Sequence, residues 1–174
     1  MTLHFRYLDS PIGRLHLWAR GDALVGVYFL EHKGAPTPTG AEQPDHPVLA
    51  AACRQLGEYF AGERRVFDLP VHATGTSFQH AVWRALGQIP FGTTSTYAAL
   101  ARAIGNPAAV RAVGAANGRN PLSIIVPCHR VIGSSGTLTG YAGGVPTKHW
   151  LLDHERRVTA GHGRAEPATL APCP

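Results

Sequence analysis

Ile124-Ile125-Val126-Pro127-Cys128-His129-Arg130-Val131-Ile132-Gly133 is the stretch on which the reading of this chain turns. A β-branched run meets a proline, and a cysteine and a histidine follow at once. The proline ring disfavours helical geometry at the residue before it, which holds Val126 extended. Residues 122–126 are therefore predicted as a strand that stops at Pro127 and presents Cys128 at its end. A thiol beside an imidazole is a candidate nucleophile, because thiolate fraction sets reactivity and nearby positive charge raises it. Taken as an isolated dipeptide, Cys128-His129 fits an ordinary buried cysteine equally well.

Upstream, residues 3–8 and 14–18 read as strands around the turn Asp9-Ser10-Pro11-Ile12-Gly13. Gly21-Asp22 turns the chain into a third strand at 24–29, giving a three-stranded antiparallel meander. Residues 31–47 are rich in proline, glycine and threonine and are predicted as a loop. Pro47 suits a first helical turn, after which Leu49, Cys53, Leu56 and Phe60 share one face, so Cys53 is assigned to packing. A further short strand is predicted at 66–71. No pocket signature appears in residues 1–75, which read as a supporting α/β domain.

Thr76 or Ser77 can cap the next helix, whose apolar side carries Phe78, Val82, Trp83 and Leu86. Two short helices are predicted at 96–104 and 107–116, joined by Gly105-Asn106, a helix-turn-helix candidate. After the cysteine stretch come a loop at 133–146 and a last helix at 147–155. Residues 158–174, with Cys173, are poor in large apolar side chains and are predicted as a flexible tail.

Charge divides unevenly along this plan. Residues 1–75 carry seven Lys or Arg against eight Asp or Glu, whereas residues 76–157 carry eight against two. The basic half also holds the cysteine motif, and a basic surface favours polyphosphate through counterion release. No apolar run approaches the ~20 residues of a membrane span, and the N-terminus lacks a secretory apolar core. Three cysteines, Cys53, Cys128 and Cys173, form neither an even framework nor a metal-type pair, so a reducing cytoplasm is expected and no cofactor or metal.

Pro127-Cys128-His129-Arg130-Val131 resembles the active-site signature of the O6-alkylguanine-DNA alkyltransferases, which repair DNA by direct reversal. The resemblance runs in order from Phe78 to Glu155. It takes in Tyr97, Asn106-Pro107, Arg111-Ala112-Val113-Gly114, Asn120-Pro121, Gly140-Tyr141-Ala142-Gly143-Gly144 and Trp150-Leu151-Leu152-Asp153-His154-Glu155. It implies an α/β (α+β) chain with a ribonuclease-H-like N-terminal domain over residues 1–75. A winged-helix-like, mainly helical domain over 76–157 would carry the helix-turn-helix and the acceptor cysteine.

The resemblance also implies roles. Cys128 would take the alkyl group in one irreversible turnover, His129 would act as base through a water, and Glu155 would orient the imidazole. Tyr97 would assist the leaving guanine at N3. Asn120 would hold the turn between recognition helix and active site. Tyr141 would wall the base pocket, with Gly143 and Gly144 allowing close approach. The Cys128 and Val131 carbonyls would accept from the exocyclic amine, and the Ala142 N–H would face O6. Arg111, with Ala112, Gly114, Thr96 and Tyr97, would contact double-stranded DNA through the minor groove, Arg111 filling the place of the flipped nucleotide. Arg130 fits either a structural or a phosphate-binding role. The implied protein is a monomer, with clustering along DNA and activity on O4-alkylthymine left open. The rivals are a non-catalytic module that binds alkylated DNA, a sensor-regulator with an added cysteine-rich domain, and a Cys-His hydrolase. Cys128 counts against the first, no such domain appears for the second, and nothing marks an oxyanion hole for the third.

Overall fold

β1 (Leu3–Ser10), β2 (Gly13–Arg20) and β3 (Ala23–Phe29) form the predicted antiparallel meander in the computed structural model, which describes residues 2–30, 37 and 40–161. Strand alternation explains the packing: Leu15, Leu17 and Ala19 of β2 point to one face and are fully buried. Helix α1 (Pro47–Phe60) covers that face with Leu49, Cys53, Leu56 and Phe60, as its spacing predicts. β4 (Ala41–Glu42) adds to β1 in parallel, within the stretch predicted as loop, and the sheet order is β3-β2-β1-β4. Among the described residues no helix is long and apolar enough to cross a membrane. The predicted tail lies outside the described residues beyond Gly161, and Cys173 with it.

The edge strand β3 decides where the rest of the chain attaches. Leu24 donates its N–H to the Pro70 carbonyl (2.8 Å) and accepts from His72 N (2.9 Å). Three residues on, Val27 donates to the Pro121 carbonyl (2.8 Å) and accepts from Ser123 N (3.2 Å). The free edge is thus covered by two later segments rather than left open. The strand predicted at 66–71 does not form; Val71 makes a single bridge to Leu24. Pro70 has no N–H to give, and the Gln55 carboxamide takes both the N–H (2.9 Å) and the carbonyl (2.7 Å) of Asp68.

The strand predicted at 122–126 is also absent, and this correction matters most for the site. Leu122 bridges Val27, and the chain then folds on itself. Ile125 N donates to the Ser123 carbonyl (2.9 Å) across Ile124, whose φ is +72°, the geometry of a γ-turn. Cys128 N donates to the Val126 carbonyl (2.8 Å) across Pro127 at φ −81°, ψ 63°, an inverse γ-turn. Positive φ is costly for a β-branched residue. Two features outweigh the strand propensity. Ile124 is fully buried in the N-terminal core beside Leu122. The Asn120 side chain clamps both ends of the turn, accepting from Leu122 N (3.0 Å) and donating to the Val126 carbonyl (2.8 Å).

In the C-terminal half, α2 (Ser77–Gly87) starts with a capping box between Thr76 and Gln79. β5 (Ser95–Thr96) leads into α3 (Tyr97–Ala103), and α4 (Val110–Gly118) follows. The second helix starts later than predicted, because Ala109 N closes a turn onto the Asn106 carbonyl (3.0 Å) around Pro107. The Trp83 indole donates to the Ala116 carbonyl (2.9 Å) and locks α2 to α4. β6 (Val131–Ile132) pairs in parallel with β5, and α5 (Val145–Thr159) closes the described chain, longer at both ends than predicted.

Candidate active site

Cys128 opens a single 3-10 turn, Cys128–Arg130, immediately after the paired γ-turns. It belongs to the C-terminal core with Trp83, Val113 and Val131, whereas Leu122 and Ile124 belong to the N-terminal core. The ten residues quoted at the outset therefore cross from one core to the other. The thiol is 4 % exposed, and burial pushes its pKa up from the ordinary value. Against that, the Asn120 amide, the Lys148 charge and its own backbone N–H favour the thiolate. Lys148, from α5, is fully buried and donates to the Thr139 carbonyl (3.1 Å). The Tyr141 hydroxyl is also buried and faces the sulfur, although it makes no hydrogen bond of standard geometry among the described residues.

Glu155 is the electrostatic centre. It is fully buried, and its two oxygens accept five hydrogen bonds. Oε1 takes His129 Nε2 (2.7 Å), the Tyr59 hydroxyl (2.8 Å) and Arg130 Nη2 (3.0 Å). Oε2 takes Arg130 Nε (2.9 Å) and the Gly92 N–H (3.0 Å). Burial alone would raise this carboxyl, but the bonds from His129 and Arg130 and the guanidinium charge outweigh it and hold it at about 2. Arg130 also donates to the Ile89 carbonyl (2.6 Å) and is itself buried, so its role is structural.

Burial depresses the pKa of His129, and the Glu155 carboxylate only partly opposes this, which favours the neutral imidazole. An ionised carboxylate accepts only, which places the ring hydrogen on Nε2 and leaves the lone pair on Nδ1. Nδ1 is buried and has no hydrogen-bond partner among the described residues. The site thus sets a buried cysteine next in sequence to an imidazole backed by the Glu155–Arg130 ion pair.

The remaining candidates fall around this centre. The β5–β6 pairing sets Thr96 opposite Ile132 and Ser95 opposite Val131, which fixes the start of α3 beside the cysteine turn. Thr96 caps α3, accepting from Ala99 N (3.1 Å), and Tyr97 lies over Gly114 of α4. On α4, Val110, Arg111, Ala112 and Ala115 are exposed together, a shallow face of small side chains with one guanidinium. Tyr141, Ala142 and Gly143 are half-buried, and Tyr141 stands edge-on to Phe29 of β3 (5.6 Å between centroids). Gly143 has a packing reason of its own: a Cβ there would meet the Phe29 ring at 2.7 Å. Among the described residues no cluster of three or more His, Cys, Asp or Glu could hold a metal.

Two family models match the chain. That for the DNA-binding domain of 6-O-methylguanine DNA methyltransferase covers residues 77–157, and that for its ribonuclease-like domain covers residues 3–73. The chain belongs to the 6-O-methylguanine DNA methyltransferase family. It is 49% identical over 154 residues to the methylated-DNA–protein-cysteine methyltransferase of Mycobacterium tuberculosis, covering 88% of this chain and 93% of that one. It is 43% identical over 156 residues to the protein of that name from Haemophilus influenzae, covering 89% and 87% respectively. The crystal structure of Mycobacterium tuberculosis OGT in complex with DNA superposes with a TM-score of 0.84 at 49% identity, over 89% of this chain and 94% of that one.

In this family member two participants escape a local reading of the sequence. Lys148, Leu151, Glu155 and Val158 lie at helical spacing along one buried stripe of α5, so two charged residues on an apolar face were the available signal for Lys148. Tyr59 gives none, because it sits among core residues of α1 and reaches Glu155 across 96 positions.

The same burial makes stability depend on pH. His16, His129 and His154 are all held below the ordinary imidazole value by burial, and Glu155 is held at about 2. Groups with depressed folded pKa values contribute stability above their unfolded pKa and lose it as pH falls through the folded one. Thermal unfolding followed from pH 8 to pH 4 is expected to show a melting temperature that falls on acidification below about 6.5, then more steeply below about 4.5. Glu155→Gln is expected to be less stable throughout yet to lose the steeper arm; an unchanged acid slope would exclude Glu155 as its source.

Proposed function

We propose that this chain repairs O6-alkylguanine in DNA by moving the alkyl group irreversibly onto the Cys128 sulfur, once per molecule. The observation that carries this is a buried cysteine followed directly by a buried histidine whose ring bonds Glu155 through Nε2 and whose Nδ1 has no hydrogen-bond partner among the described residues. In the reaction an S–C bond forms and the C–O6 bond breaks. The thiol proton passes to His129 through a water, and the Tyr97 hydroxyl supplies a proton or hydrogen bond to guanine N3. Lys148 and the Asn120 amide offset the burial of the thiolate. Tyr141, Ala142 and Gly143 line the place of the flipped base, with the Val131 carbonyl as an acceptor. The relatives' name, and the DNA complex of one of them, support the assignment.

The DNA partner is a duplex entered from the minor groove by the exposed side of α4, with the protein acting as a monomer able to cluster along the strand. The small side chains of Ala112 and Ala115 suit close approach there, and the exposed Arg111 would occupy the gap left by the extruded nucleotide. Intact-mass measurement after incubation with O6-methylguanine duplex tests the whole reading: one CH2 unit should be gained, on the Cys128 peptide. DNA binding with no mass change would instead identify a non-catalytic recognition module.

The plug role has its own test. Arg111→Ala should slow repair of duplex DNA about tenfold or more, since flipping costs a few kcal/mol, and leave reaction with free O6-benzylguanine nearly unchanged. Arg111→Lys should rescue poorly, because an ammonium cannot stack as a flat guanidinium does. Equal losses on duplex and single strand, with rescue by lysine, would make Arg111 a phosphate contact.

A further inference from the structure

The N-terminal half sends one polar group into the acceptor site. Tyr59 is fully buried, and α5 grips it at both ends. His154 Nε2 donates to its carbonyl (2.8 Å), and its hydroxyl donates to Glu155 Oε1 (2.8 Å). Its ring is wedged among Phe60, Phe67, Phe91 and His154. A phenol so enclosed keeps its proton, because burial and the neighbouring carboxylate both oppose ionisation.

We propose that Tyr59 is a positioning residue that keeps His129 in its neutral, proton-accepting form by sharing the charge on Glu155 Oε1. That oxygen holds three donors, and each draws on the same lone-pair density. The more of it the phenol takes, the less remains to stabilise an imidazolium at His129. Arg130 acts in the same sense but is also the counter-ion, whereas the phenol is neutral and affects Oε1 alone. The charged groups that act on His129 are Glu155 and Lys148 of α5 and Arg130 of its own turn, and Tyr59 of α1 reaches it through the shared Glu155 Oε1. Of these, Tyr59 can be altered by one oxygen atom without changing any formal charge.

This inference rests on reading His129 as the base, and the test separates the two. The His129 imidazole is titrated by NMR in the parent and in Tyr59→Phe, and single-turnover methyl transfer is followed from pH 5 to 9. Losing one hydrogen bond is expected to raise the His129 pKa by about 0.4–1 unit. The acid limb of the rate should move with it by the same amount, so transfer well down that limb slows about 2.5- to 10-fold while the plateau above it stays within about twofold. Site-specific 3,5-difluorotyrosine at position 59, a stronger donor of nearly the same shape, should shift both quantities the other way. That probe serves even if the phenylalanine variant folds poorly. An unmoved His129 titration, or a uniform loss of rate at every pH, would overturn the proposal and leave Tyr59 a packing residue. A His129 titration that moves while the rate profile does not would overturn the base assignment, and with it the catalytic part of the inference.

Discussion

Cys128→Ser is expected to abolish methyl transfer, by at least about 10^3-fold, while affinity for duplex DNA stays within about twofold. Serine is close to cysteine in size, so the buried, 4 % exposed position refolds around it with little change. Its hydroxyl, however, is far too weakly acidic for the same surroundings to ionise. Lys148 and the Asn120 amide offset only part of the burial of a thiol, and a hydroxyl is far harder to ionise. Single-turnover transfer and equilibrium binding should be measured on the same preparation. Repair by the serine protein, or a mass gain on Cys53 in the parent, would exclude Cys128 as the acceptor.

Glu155→Leu is expected to cost about 3–5 kcal/mol of folding stability, the largest loss from any single change at the site. The reason is Arg130, whose guanidinium is buried and would keep its charge with nothing opposite it. Coupling to Arg130→Met should show this in urea unfolding. Once both charges are gone the position is apolar, and the double variant should recover about half of the loss. Recovery stays partial because the Tyr59 hydroxyl, the His129 Nε2 hydrogen and the Gly92 N–H would still lack their acceptor. Strictly additive losses would show that the pair is not coupled and that Arg130 finds another anion or water.

The two halves were legible to different degrees, for reasons that can be traced residue by residue. Alternation in β2 and the 4-3-4 spacing of Leu49, Cys53, Leu56 and Phe60 reported the sheet and α1, because local periodicity and burial agree there. The β-branched run before Cys128 misled, since its propensity favours a strand while long-range burial of Ile124 and the Asn120 clamp impose a turn. The cysteine, the histidine and the bond from the imidazole to Glu155 were expected from the family resemblance, but the bonds of Glu155 to Tyr59, Arg130 and Gly92 were not. Arg130 could not be placed without knowing that its neighbour in space is Glu155, 25 positions later. Tyr59 could not be suspected at all, because nothing near it in the chain needs a phenol.

The edge of β3 has a bearing on inheritance as well as on geometry. Val27 holds the backbone on either side of Leu122, and Phe29 lies beneath Gly143, so the acceptor loop is moulded on a strand from the other half of the chain. Recombination that swapped one half for a distant cousin's would carry every reacting group across intact and still deliver a misshapen mould. Change at the seam must therefore be matched on both sides, and the two halves are bound to drift together as one heritable unit.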